Sequence, residues 1–255
     1  MSFVDRLSNS WNIFKTSVDF LKRDKSLMLV PVVGAGFILA FLALFFFFAL
    51  PFMQYGGWWL MILFLFIINI IAVFFASVQV WMVYEVALGK DATLSSGFKR
   101  AFGNLWDILF FVVASLIIGS VLRAIRQRGG IAGEITSGVV GVFVGIAQKL
   151  VIPAMIISER NFWDSVKGLG KALKAAPEIA VYEIGVGPLL IIAALLWAGF
   201  SFLVMLVLGL IPAVVVFFIG IVLLIYVYDL IDKIYYTLLY LTLIEKKKVK
   251  GLKLR

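Results

Sequence analysis

Residues 58–84 read WWLMILFLFIINIIAVFFASVQVWMVY, an apolar run that contains no charged side chain. About 20 helical residues cross a hydrocarbon layer roughly 30 Å thick, so this run is long enough to span a membrane. It has no polar face of the kind that a helix on the surface of a soluble protein shows. The run therefore predicts a transmembrane helix, and its two leading tryptophans fall where the aromatic belt of a membrane protein belongs.

The composition of the whole chain also indicates a membrane protein. Apolar residues make up 64% of the 255 residues, charged residues make up only 15%, and the mean hydropathy is +1.11. A soluble domain of this length could not hide so much apolar surface from water. We therefore expect an all-α, polytopic helical bundle in the cell membrane, with lipid as its solvent.

Five further apolar runs raise the number of predicted transmembrane helices to about six. The predicted spans cover residues 27–50, 58–84, 106–122, 135–157, 185–210 and 212–244. We expect Pro31, Gly34 and Gly36 to interrupt the first span near its start. The sixth run is about half as long again as a bilayer requires, so it must bend, tilt or protrude.

A short amphipathic segment precedes each pair of spans. The first covers residues 2–21, the third covers residues 161–175, and the second starts at a cap formed by Asp91 or Thr93. This order predicts a single membrane domain in which an amphipathic helix and a hairpin occur three times. The predicted units are residues 1–92, 93–160 and 161–255.

The distribution of lysine and arginine predicts the orientation of the chain. Roughly 18 of these residues lie on the side that holds both termini, against three on the other side, so both termini are expected to be cytoplasmic. The three exceptions are Arg123, Arg126 and Arg128. Either their loop folds back and pairs with Asp107 or Glu134, or the arginines meet head groups of the outer leaflet.

The basic surface predicts anionic membrane lipids as partners. The formal net charge is +9, and the C-terminal residues 246–255 are rich in lysine. Basic amphipathic helices and tails of this kind bind anionic lipid surfaces. A nucleic-acid partner is not expected, because the chain contains no folded basic module. The candidate head-group contacts are Arg123, Arg126, Arg128, Lys167, Lys171 and Lys174.

Small residues recur at every fourth position of the fourth span. They are Gly133, Ser137, Gly141 and Gly145. Such a stripe lets a second helix approach closely. One interpretation is a contact between copies, which predicts a homo-oligomer or a subunit of a membrane complex. The other is packing within the chain.

Lys149 continues this stripe and is the first member of a candidate polar cluster inside the membrane. It either faces a packed or water-filled interior, or extends its ammonium group to the nearby membrane surface. Asp229 and Asp232 fall at a similar depth of the sixth span. The three residues either meet in one cluster or the carboxylates mark the end of the span. The candidate cluster consists of Lys149, Tyr226, Tyr228, Asp229 and Asp232.

Several kinds of chemistry are excluded by the residues that the chain lacks. The absence of histidine and cysteine excludes His-ligated haem, iron–sulfur clusters, the usual zinc sites and a Ser-His-Asp triad. Tyr228 and Asp229 resemble half of an intramembrane aspartyl protease site, but no second motif completes it. We therefore expect no enzyme, no cofactor and no metal. The lack of cysteine and the abundance of isoleucine are compatible with a thermophilic source.

Four segments carry a resemblance to known membrane proteins. They are residues 7–11 with Leu7, Ser8, Ser10 and Trp11, residues 122–128 with the following glycine pair, residues 151–159, and residues 162–173. In these the chain resembles a family of uncharacterised prokaryotic six-span membrane proteins, known only as a domain of unknown function. It is more distantly similar to the membrane domain of glycerophosphodiester phosphodiesterases. The resemblance implies a fold and a membrane location, and supplies no catalytic residue. Asp229 and Asp232 depart from the family pattern, which has small or uncharged residues there.

Two functions follow from these patterns. Polar groups at matching depth favour a non-enzymatic, channel- or transporter-like module for an ion, a small solute or a lipid. The basic amphipathic helices favour a structural protein that organises lipids or partner proteins. The sequence does not name a transported species.

Overall fold

The computed structural model describes residues 3–48, 57–158, 160–172 and 176–249. Within these ranges the chain forms nine α-helices and no strand, which confirms the predicted all-α bundle. The helices are α1 (Phe3–Arg23), α2 (Leu29–Phe48), α3 (Trp58–Ala87), α4 (Leu94–Gly103), α5 (Leu105–Arg128), α6 (Gly130–Ile157), α7 (Phe162–Ala172), α8 (Ala176–Leu208) and α9 (Leu210–Leu239).

The helices that are long and apolar enough to cross a membrane follow the predicted spans. Five such segments occur in the described residues: 25–47, 59–87, 105–128, 190–208 and 210–244. The fourth predicted span is α6, a helix of 28 residues that includes the apolar segment Val144–Ile157. The bundle therefore has roughly six spans. The uncharged link at residues 54–56 lies outside the described residues.

The expected interruption of the first span is wrong. Helix α2 is continuous from Leu29 to Phe48. Pro31 lies in its first turn, where a missing N–H group removes no intrahelical hydrogen bond. Gly34 lets α2 approach α3, because a Cβ atom added there would lie 3.0 Å from Cγ of Phe75.

A single glycine connects the two helices of the last hairpin. Gly209 has φ of 89°, a left-handed conformation that favours glycine, and it joins α8 to α9. Helix α8 begins at Ala176, well before the predicted start at residue 185. Helix α9 continues into a π-helical turn, Tyr240–Ile244. The excess length of the sixth span therefore protrudes beyond the hairpin rather than breaking it.

The three amphipathic helices are α1, α4 and α7, and each precedes a hairpin as predicted. Thr93 caps α4, since its side chain accepts a hydrogen bond of 3.1 Å from the N–H of Ser96. Helix α4 packs on α3, α7 packs on α6, and α1 packs on α8 and α9. Each amphipathic helix therefore contacts the hairpin before it, and α1 closes the ring by contacting the last one.

The second helices of the three hairpins, α3, α6 and α9, contact one another at the centre of the bundle. Buried residues concentrate in residues 74–87, 146–157 and 230–241, close to the amphipathic helices. We call this part of the bundle the core end. At the other end, which we call the open end, most described side chains of the spans are exposed. The hairpins thus pack together at one end only, and lipid is the natural solvent of the other.

Candidate functional site: a polar cluster between the central helices

Lys149 lies about two turns before the end of α6, and its ammonium group faces α9. Its Nζ is 3.2 Å from Oδ1 of Asp232 and 4.7 Å from the centre of the Tyr236 ring. The side chain of Asp232 is 11% exposed, and that of Lys149 is 34% exposed. This is the geometry of a lysine paired inside the bundle. A lysine extended to the membrane surface would hold its ammonium in water.

A second ion pair lies one turn along α9. Nζ of Lys233 is 2.5 Å from Oδ2 of Asp229, at the i, i+4 spacing that brings side chains together on a helix. The two lysines and two aspartates of the site therefore pair off, and their charges cancel. Asp229 lies about 28 Å along α9 from Leu210, close to the thickness of a hydrocarbon layer. The pairs lie near the membrane boundary at the core end.

A cavity of about 210 Å³ lies beside these pairs, where the three central helices meet. It is lined by Ala76 and Val80 of α3, Lys149, Ile152 and Pro153 of α6, and Asp229, Asp232, Lys233 and Tyr236 of α9. Apolar walls with a few convergent polar groups are typical of sites for small ligands. Since both signs of charge face the cavity, it suits a small polar or charged group.

One of the two tyrosines of the predicted cluster, Tyr226, bonds to a different part of the bundle. The hydroxyl of Tyr226 donates a hydrogen bond to the carbonyl oxygen of Met28, next to the start of α2. Tyr226 therefore links α9 to the first hairpin. Tyr228 is half-buried and is not among the residues that line the cavity. The structure brings together Lys149, Asp229 and Asp232 around the cavity.

Gln79 and Tyr236 belong to the neighbourhood of the site, and the sequence reasoning missed both. Gln79 is fully buried on α3, and its Nε2 lies 3.5 Å from the carbonyl oxygen of Leu230. Its Oε1 is buried without a hydrogen-bond partner among the described residues. The apolar run 58–84 contains two amides, Asn69 and Gln79, and an amide in such a run was a signal because intramembrane polar groups are usually functional. Tyr236 was signalled only by its position one turn after Asp232.

A separate polar network fastens the core end. The hydroxyl of Ser158 lies 2.7 Å from the hydroxyl of Tyr240, and both donate to Oε1 of Glu245, at 2.7 and 2.9 Å. A guanidinium nitrogen of Arg160 is 3.6 Å from the same oxygen. Burial alone would raise the pKa of Glu245, but the hydrogen bonds from Ser158 and Tyr240 and the charges of Arg160 and Lys247 outweigh it and lower that pKa. The network ties the end of α6 to the π-helical turn.

The arginines of the predicted loop instead lie in the last turns of α5, at the open end. Arg123 and Arg126 line a cavity of about 420 Å³ together with Glu134. Asp107 is about 24 Å away along α5 from Arg123. Its carboxylate accepts a hydrogen bond of 2.8 Å from the N–H of Phe162, at the start of α7. Asp107 is therefore not the partner of this loop, contrary to one of the two predicted pairings.

The small-residue stripe of α6 has two different environments. A Cβ atom added to Gly133 would lie 2.5 Å from the carbonyl oxygen of Ile125, so this glycine permits close approach to α5. Ser137 donates to the carbonyl oxygen of Glu134 at 3.1 Å. Gly141 and Gly145 have open space beside them among the described residues. Packing between α5 and α6 therefore explains Gly133, the first member of the stripe.

The remaining candidate residues lie on α7 and beyond it. Lys167 is exposed and 3.7 Å from a carboxylate oxygen of Asp164. The side chains of Lys171 and Lys174 lie outside the described part of the chain.

Comparison with known proteins finds no family model, no curated protein and no solved structure that matches this chain.

Proposed function

We propose that this protein is a non-enzymatic membrane module that binds an ion or a small polar solute between α3, α6 and α9 and helps to move it across the membrane. The observation that carries the proposal is the Lys149–Asp232 pair beside a cavity of about 210 Å³. Ionisable residues on membrane-spanning helices that face the interior of a bundle usually mark a path for a substrate or an ion. Stability alone does not explain the ion pair, because apolar residues of similar volume often stabilise helix packing as well as a buried ion pair does.

The packing beside the cavity favours a carrier over an open pore. At the core end the rings of Tyr182 and Tyr235 stack at 3.7 Å, and Tyr235, Tyr236 and Leu239 are almost completely buried. Tyr236 also lines the cavity, so this aromatic packing lies directly beside the site. A solute could pass the core end only after the packing separates, which is the behaviour of a carrier with alternating access.

Flux through proteoliposomes tests the proposal. Protons, potassium ions and the zwitterion glycine serve as three probes, and vesicles without protein set the background. We expect the protein to move at least one probe, and we expect Lys149→Met and Asp232→Asn to abolish that movement. Lys167→Met is the matched control, because it removes a lysine from an exposed ion pair. Background flux for all three probes, or unchanged flux in Lys149→Met, would contradict the proposal.

A structural role is a second candidate, favoured by aromatic side chains near the amphipathic helices. Trp11 is 50% exposed, Trp106 is 75% exposed and Trp163 is 62% exposed. Exposed tryptophan beside basic residues such as Lys167 is typical of a protein surface in the head-group region. This role predicts anionic lipids or partner subunits that purify with the protein, and no flux of the three probes.

A further inference from the structure

The cavity at the open end is a second candidate binding site, remote from the Lys149 pair. It lies between the last turns of α5 and the first turns of α6 and has a volume of about 420 Å³. Its lining residues are Leu122, Arg123, Arg126, Glu134, Ser137 and Gly138. Glu134 precedes Lys149 by about 22 Å along α6, so the two cavities do not overlap.

The position of the arginines matches the surface of a membrane. Arg123 and Arg126 lie about 27 and 32 Å along α5 from Leu105. A hydrocarbon layer is about 30 Å thick, and Leu105 lies beside the amphipathic helices at the core end. The two guanidinium groups therefore reach the level of the head groups on the opposite membrane surface.

The charges that line the cavity select the chemistry of a ligand. Guanidinium groups bind phosphate through paired N–H donors, so two arginines favour a phosphate group. Glu134 adds a carboxylate to the same cavity, which would repel a ligand that is only anionic. A primary ammonium group satisfies that carboxylate with charge-assisted hydrogen bonds. The cavity thus suits a phosphate and an ammonium joined by a short linker.

We propose that this cavity binds the head group of a zwitterionic phospholipid that carries a primary ammonium group. The phosphate lies against Arg123 and Arg126, and the ammonium lies against Glu134. Basic residues on the side opposite the termini run against the usual charge distribution of membrane proteins. Binding of a lipid head group explains why arginines occur on this side, which the usual charge distribution does not explain.

Binding of defined lipids to the purified protein tests this proposal. Native mass spectrometry measures the binding of phosphatidylethanolamine, phosphatidylcholine and phosphatidylglycerol. We expect a preference for phosphatidylethanolamine, which the double variant Arg123→Gln/Arg126→Gln weakens by about tenfold or more. Glu134→Gln should remove the preference over phosphatidylglycerol while keeping phosphate binding. Lys90→Gln is the matched control, because Lys90 is exposed in the turn after α3 and does not line the cavity.

Soluble competitors distinguish a lipid site from a site for free phosphate. Phosphoethanolamine should displace the lipid at lower concentration than inorganic phosphate does. Equal competition by inorganic phosphate would overturn the assignment of Glu134 to an ammonium group. Equal loss of binding in Lys90→Gln, or unchanged lipid preference in Glu134→Gln, would overturn the proposed site. Circular dichroism of each variant checks that the helices are intact.

Discussion

Replacing Lys149 by methionine should destabilise the protein more than replacing Asp232 by asparagine. The first change leaves a carboxylate without its cation in a side chain that is only 11% exposed. The second leaves a lysine that is 34% exposed and can turn its ammonium group toward water. The order of the two effects therefore follows from the unequal burial of the two partners.

The expected magnitudes lie between two known limits. Breaking a buried ion pair costs about 3–5 kcal/mol, whereas an exposed pair contributes about 0–1 kcal/mol. Because Asp232 is close to the buried limit and Lys149 is intermediate, we expect Lys149→Met to lower the free energy of unfolding by about 2–3 kcal/mol. Asp232→Asn should lower it by about 1–2 kcal/mol. The double variant should cost less than the sum, with a coupling energy of about 1–2 kcal/mol.

Reversible unfolding in mixed micelles with increasing SDS measures these free energies. The control cycle combines Lys167→Met with Asp164→Asn, a pair whose side chains are 78% and 56% exposed. Its coupling energy should stay below about 0.5 kcal/mol. Additivity of the Lys149 and Asp232 variants within about 0.5 kcal/mol, or a larger loss of stability in Asp232→Asn, would contradict this unequal burial of a coupled pair.

Two further predictions concern the core end. Gly97→Ala should destabilise the protein by about 1–3 kcal/mol, because its Cβ would lie 2.8 Å from Cγ1 and 3.0 Å from the carbonyl oxygen of Val78. Gly103→Ala on the same helix has free space and should not destabilise the protein. Thermal unfolding compares the two variants, and equal losses would contradict the close contact of α4 with α3. The pKa of Glu245 is lowered in the folded protein, so the ionised carboxylate stabilises the folded state. This stabilisation is complete above the ordinary pKa of 4.5 and is lost as the pH falls through the lower pKa of the folded state. Unfolding of Glu245→Gln and of the unchanged protein at pH 7 and pH 3 should show a difference at pH 7 that shrinks at pH 3.

The spans and their order could be predicted because membrane thickness sets the length of an apolar run. The amphipathic helices were readable for a related reason, since a helix with one polar face reveals which side it buries. The shared depth of Lys149 and Asp232 followed from the fixed rise of a helix. Thr93 was one of two predicted caps, and the structure selects it by its bond to Ser96.

The rotation of the apolar helices could not be predicted. Helix α9 is apolar on all sides over most of its length, so no periodicity indicates which residues face the bundle. That is why Tyr226 was placed in the cluster, although its hydroxyl binds Met28. The closure of the ring by α1 was also not readable. It joins the first amphipathic helix to the last hairpin, and no local pattern records a contact over that distance.

Solid-state NMR in lipid bilayers tests most directly whether charged groups of two spans meet inside the helical bundle. In a sample with ¹⁵N-labelled lysine and ¹³C-labelled aspartate, we expect a contact between Nζ of Lys149 and the carboxyl carbon of Asp232. Lys149→Met should remove this contact and leave the Lys233–Asp229 contact in place. A lysine–aspartate spectrum that is the same with and without Lys149 would contradict the proposed site.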